Sequence, residues 1–280
     1  MTELKIFTCP ICKGNKHRTV FVYSEPPQGE ISFLCSSSGT YYREVQQCTA
    51  CNHYVSEHGM DLAGLYCGDY VNSNYGDEEG MAHSFNRIIS LDASLSDNAG
   101  RVRRIVEFAG SSFSSELSNR PDRTLLDVGS GLGVFTHAMK KAGWDCTAVE
   151  IDERAVRHTR EVVGVKAVQG DFMSVKGLGR YHVVTFNKVL EHVVDPIAML
   201  RKSRKNLVGG GFVYVEVPDG EMAEGEGKER EEFCIDHLHV FSHASLTLMA
   251  NRSGYDPVLI ERLREPSTKF TLRGFLTVKN

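Results

Sequence analysis

No run of apolar residues in the 280-residue chain is long enough to cross a bilayer, which excludes a membrane-spanning helix. The opening Met1-Thr2-Glu3-Leu4-Lys5 has no apolar signal core, so a cytoplasmic protein is expected. Basic charge is not in excess either: 32 Lys and Arg stand against 36 Asp and Glu, a formal net charge of -4. That balance gives no bulk attraction to a polyanion, and nucleic acid is disfavoured as a partner. The triplet Arg101, Arg103, Arg104 reads as a solvated helix face. Internal repeats are missing, so a solenoid is excluded. What remains is 41% hydrophobic and 24% charged residues, an ordinary soluble composition with room for one α/β domain and a smaller module.

Four of the eight cysteines form two C-x-x-C pairs, Cys9-Pro10-Ile11-Cys12 and Cys48-Thr49-Ala50-Cys51. Without an export signal, metal is a better reading than disulfides. Each turn can present two thiolates at tetrahedral angles, and two turns close a four-thiolate Zn²⁺ site. Such a site is structural, because no coordination position is left for water. It would staple residues 1–80, a loop-rich stretch with one short β-type run at 19–23 and turns at Pro26-Pro27 and Ser36-Ser37-Ser38-Gly39. Free or redox-active cysteines are the alternative, and His53 and His58 are candidate substitute metal ligands. Cys35, Cys67, Cys146 and Cys234 lack partner spacing and read as buried or substrate-proximal thiols.

Within a helical linker at 81–120, residues 84–109 carry Phe85, Ile88, Ile89, Val102, Ile105 and Val106 at helical spacing, followed by a serine-rich loop at 111–115. From 121 to 280 strands and helices alternate. Strands are predicted at 125–128, 145–150, 165–168, 182–186 and 212–217, and helices at 132–142, 152–163 with Asp152 as N-cap, and 195–207. This order implies a doubly wound, mostly parallel α/β sheet. Residues 219–232 are charged and glycine-containing, and are expected to be mobile, a candidate lid. Ser242 opens a helix that Gly254 ends, and runs at 257–262 and 270–278 predict an antiparallel hairpin at the sheet edge.

After the first strand comes Leu126-Asp127-Val128-Gly129-Ser130-Gly131-Leu132-Gly133, where an open α/β sheet binds nucleotides. A dinucleotide turn needs a small residue at the sixth position from the first glycine, and Val134 stands there. The stretch 125–133 resembles the first motif of the class I S-adenosylmethionine-dependent methyltransferases. Glu150-Ile151, Gly170-Asp171-Phe172, and the run from Tyr181 through Asn187 to Leu190-Glu191-His192 and Asp195-Pro196 resemble the later motifs in order. The resemblance implies a Rossmann-like seven-stranded sheet. It also implies that Asp127, Gly129, Ser130, Gly131, Gly133, Glu150, Ile151, Asp171, Phe172 and Asn187 hold S-adenosylmethionine, Glu150 at the ribose and Asp171 at the adenine. A sulfonium cofactor has no phosphate to neutralise, so carboxylates suit its hydroxyl and ammonium donors.

A zinc module ahead of this domain is similar to a group of methyltransferases acting on sugars, glycans and natural products, and 65–70 is similar to a tyrosine-bearing stretch of that group. Two imidazole sites qualify as the base that methyl transfer to a hydroxyl needs, Glu191-His192 and Asp236-His237. The second occupies the place of the Glu-His pair of the sugar C-methyltransferases. Cys234 stands where those enzymes have tyrosine, their large C-terminal domain has no counterpart, and the glycine motif is the ordinary version. O-methylation of a sugar, glycan or other small polar acceptor is therefore expected, with C-methylation second. Lys228 and Arg230 are candidate contacts to a sugar-nucleotide phosphate. The alternatives are an RNA or protein methyltransferase that uses the module for recognition, and a noncatalytic cofactor-binding protein. Glu57, Asp61, Asp69, Asp77, Glu78 and Glu79, with no Lys or Arg between 53 and 83, count against a polyanion.

Overall fold

A computed structural model describes residues 7–28, 30, 41–59, 77–113 and 123–279. Cys35, Cys67, the turn at 36–39, Asp61, Asp69, the 65–70 stretch and Ser114-Ser115 lie outside the described residues.

The larger sheet contains β4 (Arg123–Val128), β5 (Trp144–Glu150), β6 (Lys166–Gln169), β7 (Tyr181–Asn187), β8 (Leu207–Pro218), β10 (Tyr255–Arg264) and β11 (Phe270–Val278). Its order is β10-β11-β8-β7-β4-β5-β6. The strands from β8 to β6 pair in parallel, while β11 is antiparallel to both β8 and β10. The central strands are buried and mostly apolar because both faces are covered. Strand alternation sends Leu126, Val184 and Val213 into one core with α5 (Pro196–Ser203) and α7 (His243–Ser253). Leu125, Val183 and Phe212 enter the opposite core with α2 (Asp97–Ser112) and α3 (Val134–Lys141). Each such side chain contributes about 1.5–3 kcal/mol of burial.

Caps set the helix starts. Asp152 accepts from the amides of Arg154 and Ala155 at the head of α4 (Glu153–His158), and Asp195 accepts from Ala198 with Pro196 at the first helical position. Ser242 and Ser245 form a reciprocal capping box on α7. Three expectations shift. The helix expected from 132 begins at Val134, because the turn occupies the chain through Gly133, whose φ is 70°. The helix expected to reach 207 stops at Ser203, and β8 takes the chain from Leu207. The segment at 84–109 is two helices, α1 (Glu78–Ile89) and α2, and α2 runs on to Ser112, where the Ser111 hydroxyl bonds the Phe108 carbonyl at 3.1 Å.

The smaller sheet is antiparallel, ordered β1 (His17–Tyr23), β2 (Arg43–Cys48), β3 (Tyr54–His58) and β9 (His239–Val240). Its last strand comes from the far end of the chain, pairing Tyr54 with Val240 and Val55 with His239. The stretch at 219–232 is folded rather than loose, with a short α6 (Gly220–Glu224). Its acids are pinned: Glu224 accepts from Tyr54 at 2.7 Å and Glu221 from Asn52 at 3.0 Å, while the buried Glu232 accepts from the Phe270 amide at 2.6 Å. Arg230 pairs with Glu226 and Glu232, and the ammonium of the exposed Lys228 lies over the Tyr23 ring at 5.7 Å. Among the described residues, no helix is long and apolar enough to cross a membrane.

Candidate active site

A cavity of about 730 Å³ opens at the carboxyl ends of β4, β5, β6 and β7, the edge at which open α/β sheets take their ligands. The glycine turn forms its floor. Gly129, Gly131 and Gly133 have φ of 71°, 50° and 70°, values that an L side chain rarely adopts. A Cβ on Gly129 would stand 2.7 Å from Val189 Cγ2, whereas one on Gly131 would meet nothing. Gly131 therefore faces open space. Of the residues expected to hold the cofactor, all but Gly133 line the cavity; Gly133 sits behind it at the head of α3.

Asp127 is the penultimate residue of β4 and is 1% exposed. Burial pushes its carboxyl up to about 7, against the hydrogen bonds that hold its charged form. Those bonds come from Thr185 Oγ1 at 2.6 Å and Asn187 Nδ2 at 2.9 Å. Asn187 Oδ1 and the Ser130 hydroxyl are buried without a hydrogen-bond partner. Glu150 closes on the turn: Oε2 accepts from the Gly131 amide at 2.9 Å, and Oε1 accepts from Ile151 at 2.7 Å and Asp152 at 3.2 Å. Ile151 forms an exposed rim. Asp171 accepts from the Met173 amide at 2.9 Å, and the buried Phe172 packs edge-on to Phe186.

On the opposite wall, His192 lines the cavity, while Glu191, Asp236 and His237 stand behind it. His192 Nδ1 lies 2.8 Å from the Asp236 carbonyl and 3.6 Å from its carboxylate. The His237 ring centroid is 4.9 Å from that of His192, and His237 Nδ1 meets the Glu232 carbonyl at 2.8 Å. Burial pushes His237 down to about 4. It also works against the charge on Asp236, yet the neighbouring His237 and His192 keep that carboxyl below its usual range. Glu191 is fully buried, both carboxylate oxygens lack a hydrogen-bond partner, and burial raises its proton affinity. One atom each of Glu191, His192 and His237 falls within 4.8 Å of the others. The sequence brought these residues to one place without ranking them; the structure puts His192 alone on the cavity surface.

Two lining residues escape the sequence reading. Arg101 is not solvated: it lines the cavity, and its Nε donates to Glu216 Oε2 at 2.8 Å. Glu216 is wholly buried and also takes Tyr214 Oη at 2.6 Å and Arg273 Nε at 3.3 Å. Burial opposes its charge, but the guanidiniums hold its carboxyl well below the usual range. The signal was present, since Arg101 shares a helical stripe with Ile105 and Phe108. Only Arg103 of the triplet is fully solvated, as Arg104 pairs with Glu261. Lys188, at a φ of 56°, donates to Thr271 Oγ1 at 3.0 Å.

Away from the cavity, the four C-x-x-C thiols converge. Cys9 and Cys51 sulfurs are 3.6 Å apart, Cys12 and Cys48 sulfurs 3.5 Å, and all four lie within 4.8 Å of one another. Thiolates at Zn–S distances on a tetrahedron stand about 3.8 Å apart, so the set fits the ion. Cys12 N and Gly14 N approach the sulfurs of Cys9 and Cys12 at 3.5 and 3.3 Å. His53 is not part of the set: its ring bonds His239 at 3.1 Å and Ser245 at 3.3 Å. Of the other described cysteines, Cys146 is buried and Cys234 partly so.

The strand order and the acid-lined cavity define a class I S-adenosylmethionine-dependent methyltransferase fold. Residues 96–260 match the family described as methyltransferase domain, more than half of the chain, and the chain belongs to that family. A ubiquinone biosynthesis O-methyltransferase of Bordetella avium (strain 197N) is 32% identical over 124 residues, covering 42% of this chain and 48% of that protein. Another, from Caulobacter vibrioides, is 32% identical over 99 residues, 33% of this chain and 39% of that protein. The chain thus spans less than half the length of these relatives. Among solved structures, the Burkholderia thailandensis 1,6-didemethyltoxoflavin-N1-methyltransferase superposes with a TM-score of 0.56 at 14% identity, covering 90% of this chain and 100% of that one. The magnesium protoporphyrin IX methyltransferase of Synechocystis PCC 6803 gives 0.55 at 14% identity, with 79% and 100% coverage. Both contain bound S-adenosylhomocysteine, and at these identities the likeness is one of fold.

Proposed function

We propose that this protein transfers a methyl group from S-adenosylmethionine to a hydroxyl oxygen of a small polar acceptor, a sugar or glycan among them. The observation that carries the reading is the pairing, across one cavity, of the Asp127, Glu150 and Asp171 carboxylates with the His192–Asp236–His237 cluster. The O-methyltransferase names of the relatives support oxygen over carbon.

Each lining residue then has a role. Asp127, steadied by Thr185 and Asn187, attracts the ammonium of the methionine end, and the open side of Gly131 lets that end lie against backbone. Glu150 exchanges the Gly131 amide for ribose hydroxyls, Asp171 meets the adenine amine, and Phe172 with Ile151 borders the base. Arg101, anchored by Glu216, supplies the positive charge that a methionine carboxylate requires. When bound, the cofactor supplies an electrophilic methyl for in-line displacement, so alignment and proton removal are what the protein adds. His192 removes the acceptor proton. With Nδ1–H donated to the Asp236 carbonyl, its Nε2 carries the lone pair. Asp236 and His237 position it.

The Cys9, Cys12, Cys48 and Cys51 thiolates would hold Zn²⁺ as a structural staple for the N-terminal module. Calorimetry with S-adenosylhomocysteine tests the cofactor site, and absence of binding overturns the reading. Transfer of labelled methyl to a panel of sugars and phenols, with His192→Ala as control, tests the base. The variant is expected to lose about 10²–10⁴-fold in kcat with cofactor affinity retained.

A further inference from the structure

We infer that Arg43 of the N-terminal module is a positioning residue for the Asp236–His237 segment, so that the module sets the geometry of the acceptor side; this rests on the methyl-transfer reading above. Arg43 lies on β2 and is wholly buried. A buried guanidinium is costly unless its N–H groups are satisfied. Within the module, Nη2 pairs with the buried Glu30 at 2.9 Å, Nε donates to Tyr41 Oη at 3.1 Å, and the Tyr23 ring lies 4.0 Å beneath the guanidinium. Tyr41 in turn donates to Glu30. One bond leaves the module: Nη1 donates to the carbonyl of Phe233.

That carbonyl sits beside the groups that orient both imidazoles. The preceding carbonyl, of Glu232, receives His237 Nδ1, and the carbonyl of Asp236 receives His192 Nδ1. Between them, Phe233 and Ile235 are buried in the module's own apolar cluster with Tyr23, Tyr41 and Tyr54. The far end of the segment is tied down independently. There β9 pairs with β3, and His239 bridges His53 at 3.1 Å to the Val193 carbonyl at 3.0 Å, one residue beyond His192. An apolar side chain would fill the volume of Arg43 at lower cost, but it would leave the Phe233 carbonyl unheld and the turn free to choose another path.

The test uses the 280-residue, metal-loaded chain with ¹⁵N-labelled histidine and an imidazole NMR titration. Asp236, Glu191, His192, Cys234 and Lys188 face His237, and burial brings its titration down to about 4. In Arg43→Met/Glu30→Gln, which removes the orphaned carboxylate along with the guanidinium, the His237 titration is expected to move toward the ordinary value of about 6.5. Affinity for S-adenosylhomocysteine should stay within about twofold of the unmodified protein, as for sites that do not share partners. Arg43→Lys, which can still reach one carbonyl, should restore most of the depressed titration. An unchanged His237 titration in the double variant overturns the inference. So does a parallel loss of cofactor affinity, because it would signal general unfolding. If the unmodified chain fails to bind S-adenosylhomocysteine, the methyltransferase reading falls, while the His237 titration still decides the role of Arg43.

Discussion

At Asp127, desolvation and a cofactor's ammonium pull in opposite directions. Burial lifts the carboxyl to about 7, so the cofactor-free protein takes up a proton there as pH falls through that value. A protonated carboxyl cannot pair with an ammonium. Affinity for S-adenosylhomocysteine measured by calorimetry should therefore fall below pH 7, by up to about tenfold per pH unit, and Asp127→Asn should flatten the slope while weakening binding. Because the folded value is raised, the ionised group costs stability above the ordinary carboxylate range. The same substitution should then raise the Tm at pH 8, the usual opposition of stability and function. Glu216 has the opposite sign. Its value is depressed, so its stabilisation is present above the ordinary carboxylate range and lost as pH falls below it. Glu216→Gln strands Arg101 and leaves Arg273 with Glu265 alone; urea unfolding should show a loss of about 3–5 kcal/mol.

Among the elements, the turn between β4 and α3 has the least tolerance. Gly129→Ala would need a left-handed φ costing about 1–2 kcal/mol and would press into Val189, so calorimetry should show cofactor binding weakened at least tenfold, by about 1.4 kcal/mol or more. This turn was legible because its parts obey local rules: a buried strand, glycines at alternate positions, then acids at the next two strand ends. The edge hairpin was legible for the same reason, through two β-rich runs with no helix between them. β9 was not, since His239-Val240 is too short to display a period and exists as a strand only because β3 is there to pair with it. The charged stretch at 219–232 misled by composition. Its acids look solvated in one dimension, yet they find Tyr54, Asn52 and the Phe270 amide in three. Arg43 gave no signal at all, because a single arginine in a β-run is ordinarily a surface residue.

For the molecule as a whole, the chain between β8 of the larger sheet and β9 of the smaller one joins the two, and disturbing one end should be felt at the other. Stripping metal from the thiolate set with a mercurial and a chelator should release about one ion per chain. It should also lower the Tm in thermal scans and loosen the His192–His237 cluster seen by NMR, because Ser242 bonds the Cys51 carbonyl at 2.6 Å and Arg252 bonds the Ile11 carbonyl. Retention of both the Tm and the His192–His237 cluster after metal release would show that the module does not support the site. The late pairing of β9 with β3 also has a consequence during synthesis. The ribosome makes β3 first, and the segment that covers its edge lies 186 residues further along, measured from His53 to His239. At about 5–20 residues per second, the wait is roughly 10 to 40 s. For that interval the nascent chain carries an open β-edge beside its four C-x-x-C thiols. Early metal capture, before the partner strand exists, would shield those thiols from oxidation while the rest of the protein is made.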